Sequence, residues 1–118
     1  MTQDSRQSLV ELLFLSLYLD DHLSLAEDEV LNNALDSLGW ESSLPRETFI
    51  FSAFAAARGA AADAIKSDYF LATRADVIKR DGGEAEALTW LYKVLGSDGL
   101  TDSEKRFLGQ IEARLYPA

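Results

Sequence analysis

Two short acidic stretches contain the residues whose types and spacing could do chemistry. The first reads Asp21-His22-Leu23-Ser24-Leu25-Ala26-Glu27, and the second, 77 residues later, reads Asp98-Gly99-Leu100-Thr101-Asp102-Ser103-Glu104. Further acids crowd the first stretch, namely Asp20, Asp28 and Glu29. Carboxylates clustered on a turn are hard oxygen ligands of the kind that Ca²⁺ and Mg²⁺ prefer. The composition of the two stretches therefore indicates weak binding of a divalent cation, with a dissociation constant on the order of 0.1–1 mM.

The spacing of these acids is not that of an EF-hand. An EF-hand loop places a glutamate at its twelfth position. Counting from Asp20 the twelfth residue is Leu31, and counting from Asp98 it is Gly109.

Helix capping offers a second interpretation of the same residues. Ser24 with Glu27, and Thr101 with Glu104, both fit the S/T-x-x-E capping box, in which each side chain bonds to the other residue's backbone N–H. Such a cap contributes on the order of 1 kcal/mol. Capping explains the Ser/Thr and the Glu but not the Asp three residues earlier, so both interpretations stay open.

The elements that must position these stretches are all predicted to be helices, because Ala, Leu and Glu dominate and no alternating strand pattern persists. Asp81-Gly82-Gly83 and Gly96-Ser97-Asp98-Gly99 are predicted turns. Gly59 either breaks a helix or lies inside one. The predicted helices are Ser5–Leu19, Ser24–Leu38, one from Pro45 through the small residues to Ala62, one over Ala60–Arg80 with a joint at Ser67-Asp68, Gly83–Leu95, and Thr101–Tyr116.

Aromatic and small residues predict how the helices pack. We expect the core to contain Trp40, Trp90 and the aromatic face of the third helix, which consists of Phe49, Ile50, Phe51 and Phe54. In the fourth helix we expect Tyr69 to make apolar contacts. The small residues from Ala53 to Ala62 would let another helix approach closely. That helix belongs either to the same chain or to a second copy in a dimer.

Composition excludes several classes of function. The 118 residues suit a single domain over 1–118, and they contain no cysteine and one histidine, so thiol chemistry and His-rich metal sites are excluded. No phosphate-binding Gly-rich loop or nucleophile motif is found, and we expect no enzyme. The net charge of −9 disfavours nucleic acid as a partner. No apolar stretch approaches the ~20 residues of a spanning helix, so we expect a cytoplasmic protein without membrane insertion.

The duplicated motif resembles the TerB-like family of tellurite-resistance-associated proteins. The resemblance rests on a helix, an acidic turn and a second helix occurring twice, and His22 departs from it where the family has Gly. It implies a compact all-α bundle of about six to seven helices with an internal pseudo-repeat. It also implies a non-enzymatic stress-response module that binds protein partners, including partners in membrane-associated complexes. The same resemblance implies a Ca or Mg site at Asp21, Glu27, Asp98 and Glu104. The alternative is a metal-free protein-interaction or scaffold domain.

Overall fold

The computed structural model describes residues 2–20, 33, 36, 45–96 and 99–117, and all regular structure within them is helical. The all-α prediction is therefore confirmed. These residues contain five helices, fewer than the predicted six to seven: α1 (Gln3–Asp20), α2 (Arg46–Ala61), α3 (Ala64–Arg80), α4 (Glu84–Leu95) and α5 (Asp102–Leu115). Apart from Asn33 and Asp36, which are both helical, the predicted helix Ser24–Leu38 lies outside the described residues, and so does Trp40. The pseudo-repeat accordingly stays a prediction.

Helix α1 is central because it is apolar on nearly every side. It contacts each of the other four described helices, and α2 and α3 most extensively. Its buried apolar residues are Leu9, Val10, Leu12, Leu13, Phe14, Leu15 and Leu17. The helix begins two residues before the predicted Ser5, since the Thr2 hydroxyl accepts a hydrogen bond from the Ser5 N–H at 3.1 Å and so caps it.

Helix α2 packs on α1 through small residues. Ala53, Ala57 and Ala60 recur at helical spacing and are buried. Gly59 lies inside this helix, which answers the question that the sequence left open. The joint with α3 falls at Ala62-Asp63 and not at Ser67-Asp68.

The cause of that joint is a helix cap. Asp63 has an extended backbone, and its Oδ1 accepts hydrogen bonds from the N–H groups of Ile65 at 2.7 Å and Lys66 at 3.3 Å. These bonds satisfy N–H groups that have no partner within the helix, so a new helix begins there. Ser67 is buried within α3.

The remaining helices follow the predicted turns. Gly82 has φ of +73° in the turn between α3 and α4, a conformation that favours glycine. Two core predictions are wrong: the side chains of Phe51 and Tyr69 are 80% and 71% exposed. Phe49, Phe54 and Trp90 do pack against the core, although each is only partly buried.

Candidate functional site

The second acidic turn leads into a complete capping box. The Thr101 hydroxyl accepts from the Glu104 N–H at 3.1 Å, and Glu104 Oε1 accepts from the Thr101 N–H at 2.9 Å. Gly99 has φ of +84°, so the turn uses the conformational freedom of glycine just before the cap. The capping prediction is confirmed at Thr101. Glu104 is 1% exposed, and its carboxylate is already engaged by the backbone.

The other three predicted cation ligands, Asp21, Glu27 and Asp98, lie outside the described residues, as do His22 and the Ser24 cap. Over 2–20, 45–96 and 99–117, together with Asn33 and Asp36, no group of three His, Cys, Asp or Glu side chains is arranged to hold a metal ion. The cation site therefore stays a prediction. Of its four proposed ligands, the structure describes Glu104 alone, in a structural role.

Sequence reasoning missed a polar cluster at the start of α1. Asp81 Oδ2 accepts hydrogen bonds from the Thr2 hydroxyl at 2.6 Å and the Ser5 hydroxyl at 3.0 Å. The Thr2 hydrogen bond, helped by Ser5 and Arg80, holds the pKa of Asp81 below its ordinary value against the opposing effect of desolvation. The cluster joins α1 to the α3–α4 turn. A turn aspartate at position 81 gave no signal for this long-range contact.

A polar cleft of about 330 Å³ between α1 and α3 is the next candidate. Its central charges are already paired: Glu11 Oε2 accepts from Arg74 Nε at 3.2 Å and Arg74 Nη2 at 2.9 Å. The Arg74 guanidinium also lies 3.9 Å from the centroid of the Phe70 ring. These contacts hold α1 against α3. The two charges at the centre of the cleft are therefore paired with each other and are not free to bind a ligand.

The outward face of α2 presents exposed residues at a spacing of three and four. We call Thr48, Phe51, Ala55 and Arg58, together with Ala62 directly after the end of the helix, the outer ridge; all five are exposed. Phe51 is 80% exposed, which places it with Ile65 at 81% and Tyr69 at 71% among the most exposed large apolar side chains of the described residues. Among the described residues Arg58 has no carboxylate within ion-pair distance.

A small groove of about 150 Å³ borders the outer ridge and is lined by Tyr18, Phe51, Phe54, Ala55 and Arg58. Two of its walls are fixed by aromatic packing. Phe54 stacks on buried Phe14 with ring centroids 3.9 Å apart, and it meets Tyr18 edge-on at 6.2 Å. The outer ridge thus combines a protruding ring with an adjacent aromatic depression.

Comparison with known proteins gives no assignment, since no family model, curated protein or solved structure matches the chain. Among the described helices, none has the length and apolarity needed to cross a membrane.

Proposed function

We propose that this chain is a non-enzymatic protein-interaction domain whose outer ridge receives an amphipathic helix from another polypeptide. The observation that carries the proposal is Phe51, an aromatic side chain 80% exposed beside a groove that other aromatic rings line. Aromatic residues are enriched among the anchors that dominate protein interfaces. Leaving such a ring in water forfeits about 1.5–3 kcal/mol of burial free energy, which docking would recover.

The shape of the outer ridge favours a helix as the docked element. Alternating steps of three and four residues place a continuous stripe along one side of a helix, as in a coiled-coil seam. Thr48, Ala55 and Ala62 are small, so a second helix can approach at the short end of the usual 8–10 Å interaxial range. Helix-in-groove recognition uses anchors at this same spacing.

Charge defines the chemistry of the incoming helix. Arg58 is exposed on the outer ridge and forms no ion pair within the described part of the chain. A carboxylate on the docked helix would pair with the guanidinium in a geometry that suits two parallel hydrogen bonds. The expected ligand is thus an amphipathic helix with an apolar stripe and one well-placed acid.

The resemblance to TerB-like proteins supports placing this interaction in a cytoplasmic stress-response assembly, including one at the inner face of a membrane. Of the two functions that the sequence left open, the hydrogen bonds of Glu104 favour the metal-free one. Glu104 is only 1% exposed and already caps the helix through the Thr101 N–H, so a cation would have to enter a buried position to reach its carboxylate. Cation binding that involves Asp21, Glu27 and Asp98 is kept as a secondary proposal.

The proposal is tested by placing a photoreactive amino acid at position 51 of the full chain in the cells that produce it, with position 116 as the control. Tyr116 is also an exposed aromatic residue, but it lies beyond the end of α5. We expect crosslinking from position 51 to a defined protein, which is then purified for calorimetry. Phe51→Ser should weaken its binding by at least about tenfold, or ~1.4 kcal/mol, and Tyr116→Ser should not. Equal crosslinking at both positions, or equal binding by both variants, contradicts the proposal.

A further inference from the structure

The outer ridge has the features needed to pair with a second copy of itself. In an antiparallel pair of α2 helices related by a two-fold axis at the level of residue 53, each Phe51 lies opposite the partner subunit's Ala55. A large residue then faces a small one twice, as interdigitated helix packing requires. We infer that the outer ridge forms a two-fold antiparallel contact with a second copy of this chain. This inference rests on the interaction role proposed above for the same ridge.

The groove supplies the second half of the fit. It borders Ala55, the residue that the partner subunit's Phe51 would face, and Tyr18 and Phe54 complete its aromatic wall. A two-fold axis makes the contact isologous, so each copy offers one ring and one groove. The ring is on the outer ridge and the groove borders it, so one face of each chain supplies both halves of the contact.

Charge is complementary in the same register. Glu47 lies near the start of α2 and Arg58 in its last turn, on opposite sides of the axis. Antiparallel pairing brings Arg58 beside the partner subunit's Glu47, and symmetry repeats this contact. Neither side chain forms an ion pair elsewhere within the described residues. A parallel arrangement would instead place each of these charges beside its own kind.

The size of the contact predicts a weak dimer. A helix of 16 residues is about 24 Å long, and one such helix on each side covers less than the ~800 Å² per partner of a standard interface. We therefore expect reversible association with a dissociation constant in the micromolar range or weaker.

The test is sedimentation velocity of the full chain at concentrations from about 5 to 500 μM, which bracket that affinity range. The weight-average mass should rise from 13.0 kDa toward twice that value. Phe51→Ser should weaken association by about tenfold or more, whereas Tyr116→Ser should leave it unchanged. Circular dichroism of each variant verifies that the helices persist.

A charge exchange tests the register itself. Arg58→Glu places two acids face to face, and Glu47→Arg places two cations face to face, so each single variant should associate several-fold more weakly. The combination of both substitutions restores opposite charges and should recover association. A mass of 13.0 kDa at all concentrations, or no recovery in the double variant, overturns the inference.

These outcomes separate the two proposals. If the chain stays monomeric while position 51 crosslinks to a different protein, self-association is wrong and the interaction role stands. If position 51 neither crosslinks nor supports association, both are wrong.

Discussion

The two faces of α2 are made of similar residues but have opposite environments. On the inner face Ala53, Ala57 and Ala60 are at most 6% exposed. On the outer face Ala55 and Gly59 are exposed, and so is Ala62 directly after the end of the helix. Small residues at helical spacing therefore indicate that another helix can pack closely against this one, but they do not indicate which face it packs on.

The difference comes from what faces each side. The inner alanines belong to the same buried cluster as the large side chains of α1, such as Phe14 and Leu17, and α2 contacts α1 more extensively than it contacts any other described helix. The outer face has Phe51 but no large residues opposite it among the described helices. Burial on the inner face is thus a property of α1 as much as of α2.

The largest expected effect comes from enlarging one alanine on each face. Ala57 is 0% exposed, so Ala57→Leu should overpack the core and destabilise the protein by about 1–3 kcal/mol. Ala55→Leu on the outer ridge should change the free energy of unfolding by less than about 0.5 kcal/mol. Urea titration of both variants at low protein concentration measures the difference. Equal losses would mean that both faces are packed.

A cap substitution sharpens the comparison, because a polar side chain near the surface can stabilise the fold by accepting a hydrogen bond from a backbone N–H rather than by packing in the core. Thr101→Ala removes the acceptor for the Glu104 N–H and should cost about 0.5–2 kcal/mol. Ser103→Ala, two residues further into the same helix, should cost less than about 0.5 kcal/mol. A loss below roughly 0.2 kcal/mol for Thr101→Ala, well under the capping range, would contradict the role of the box.

Acidification tests the polar contact at the start of α1. There the Asp81 carboxylate holds the helix through hydrogen bonds, whereas α2 is held through apolar packing. Because folding lowers the pKa of Asp81, its contribution is complete above the unfolded pKa of about 3.9. It is lost as pH falls through the lower folded value. The urea midpoint of the parent should therefore drop more between about pH 5 and pH 3 than that of Asp81→Asn. Parallel curves for the two proteins would show that Asp81 does not contribute.

The smallest expected effect concerns the acidic turns. If they bind Ca²⁺ with a dissociation constant on the order of 0.1–1 mM, a concentration equal to that constant stabilises the fold by only about 0.4 kcal/mol. A monovalent salt control at matched ionic strength removes the effect of screening the negative net charge. Calorimetry should show saturable heat in the parent and less in the Asp21→Asn, Asp98→Asn double variant. Absence of saturable heat in the parent would leave capping as the whole explanation at Thr101.

Local signals predicted most of the described helices and their ends, while long-range contacts escaped them. The capping box at Thr101 and the turn at Gly82 depend on neighbouring residues, so a short stretch of sequence suffices to predict them. The Asp63 cap is equally local, but the sequence pattern predicts the joint at Ser67-Asp68 instead. Residue type predicts that Phe51 and Tyr69 lie in the core, although each is exposed on the opposite side of its helix from the buried residues. The Asp81 contact joins residues 76 and 79 positions apart, and no short stretch contains it.

The attachment of Asp81 to Thr2 and Ser5 also determines how the molecule opens. The first turn of a helix ordinarily frays independently, because few contacts hold it. Here the hydroxyl groups of that turn are bound to the loop between α3 and α4, so the turn cannot unwind without releasing the loop. The beginning of α1 and the α3–α4 turn therefore behave as one unit of local unfolding. Their amide protons should show a common free energy of opening in hydrogen exchange, despite the distance that separates them along the chain.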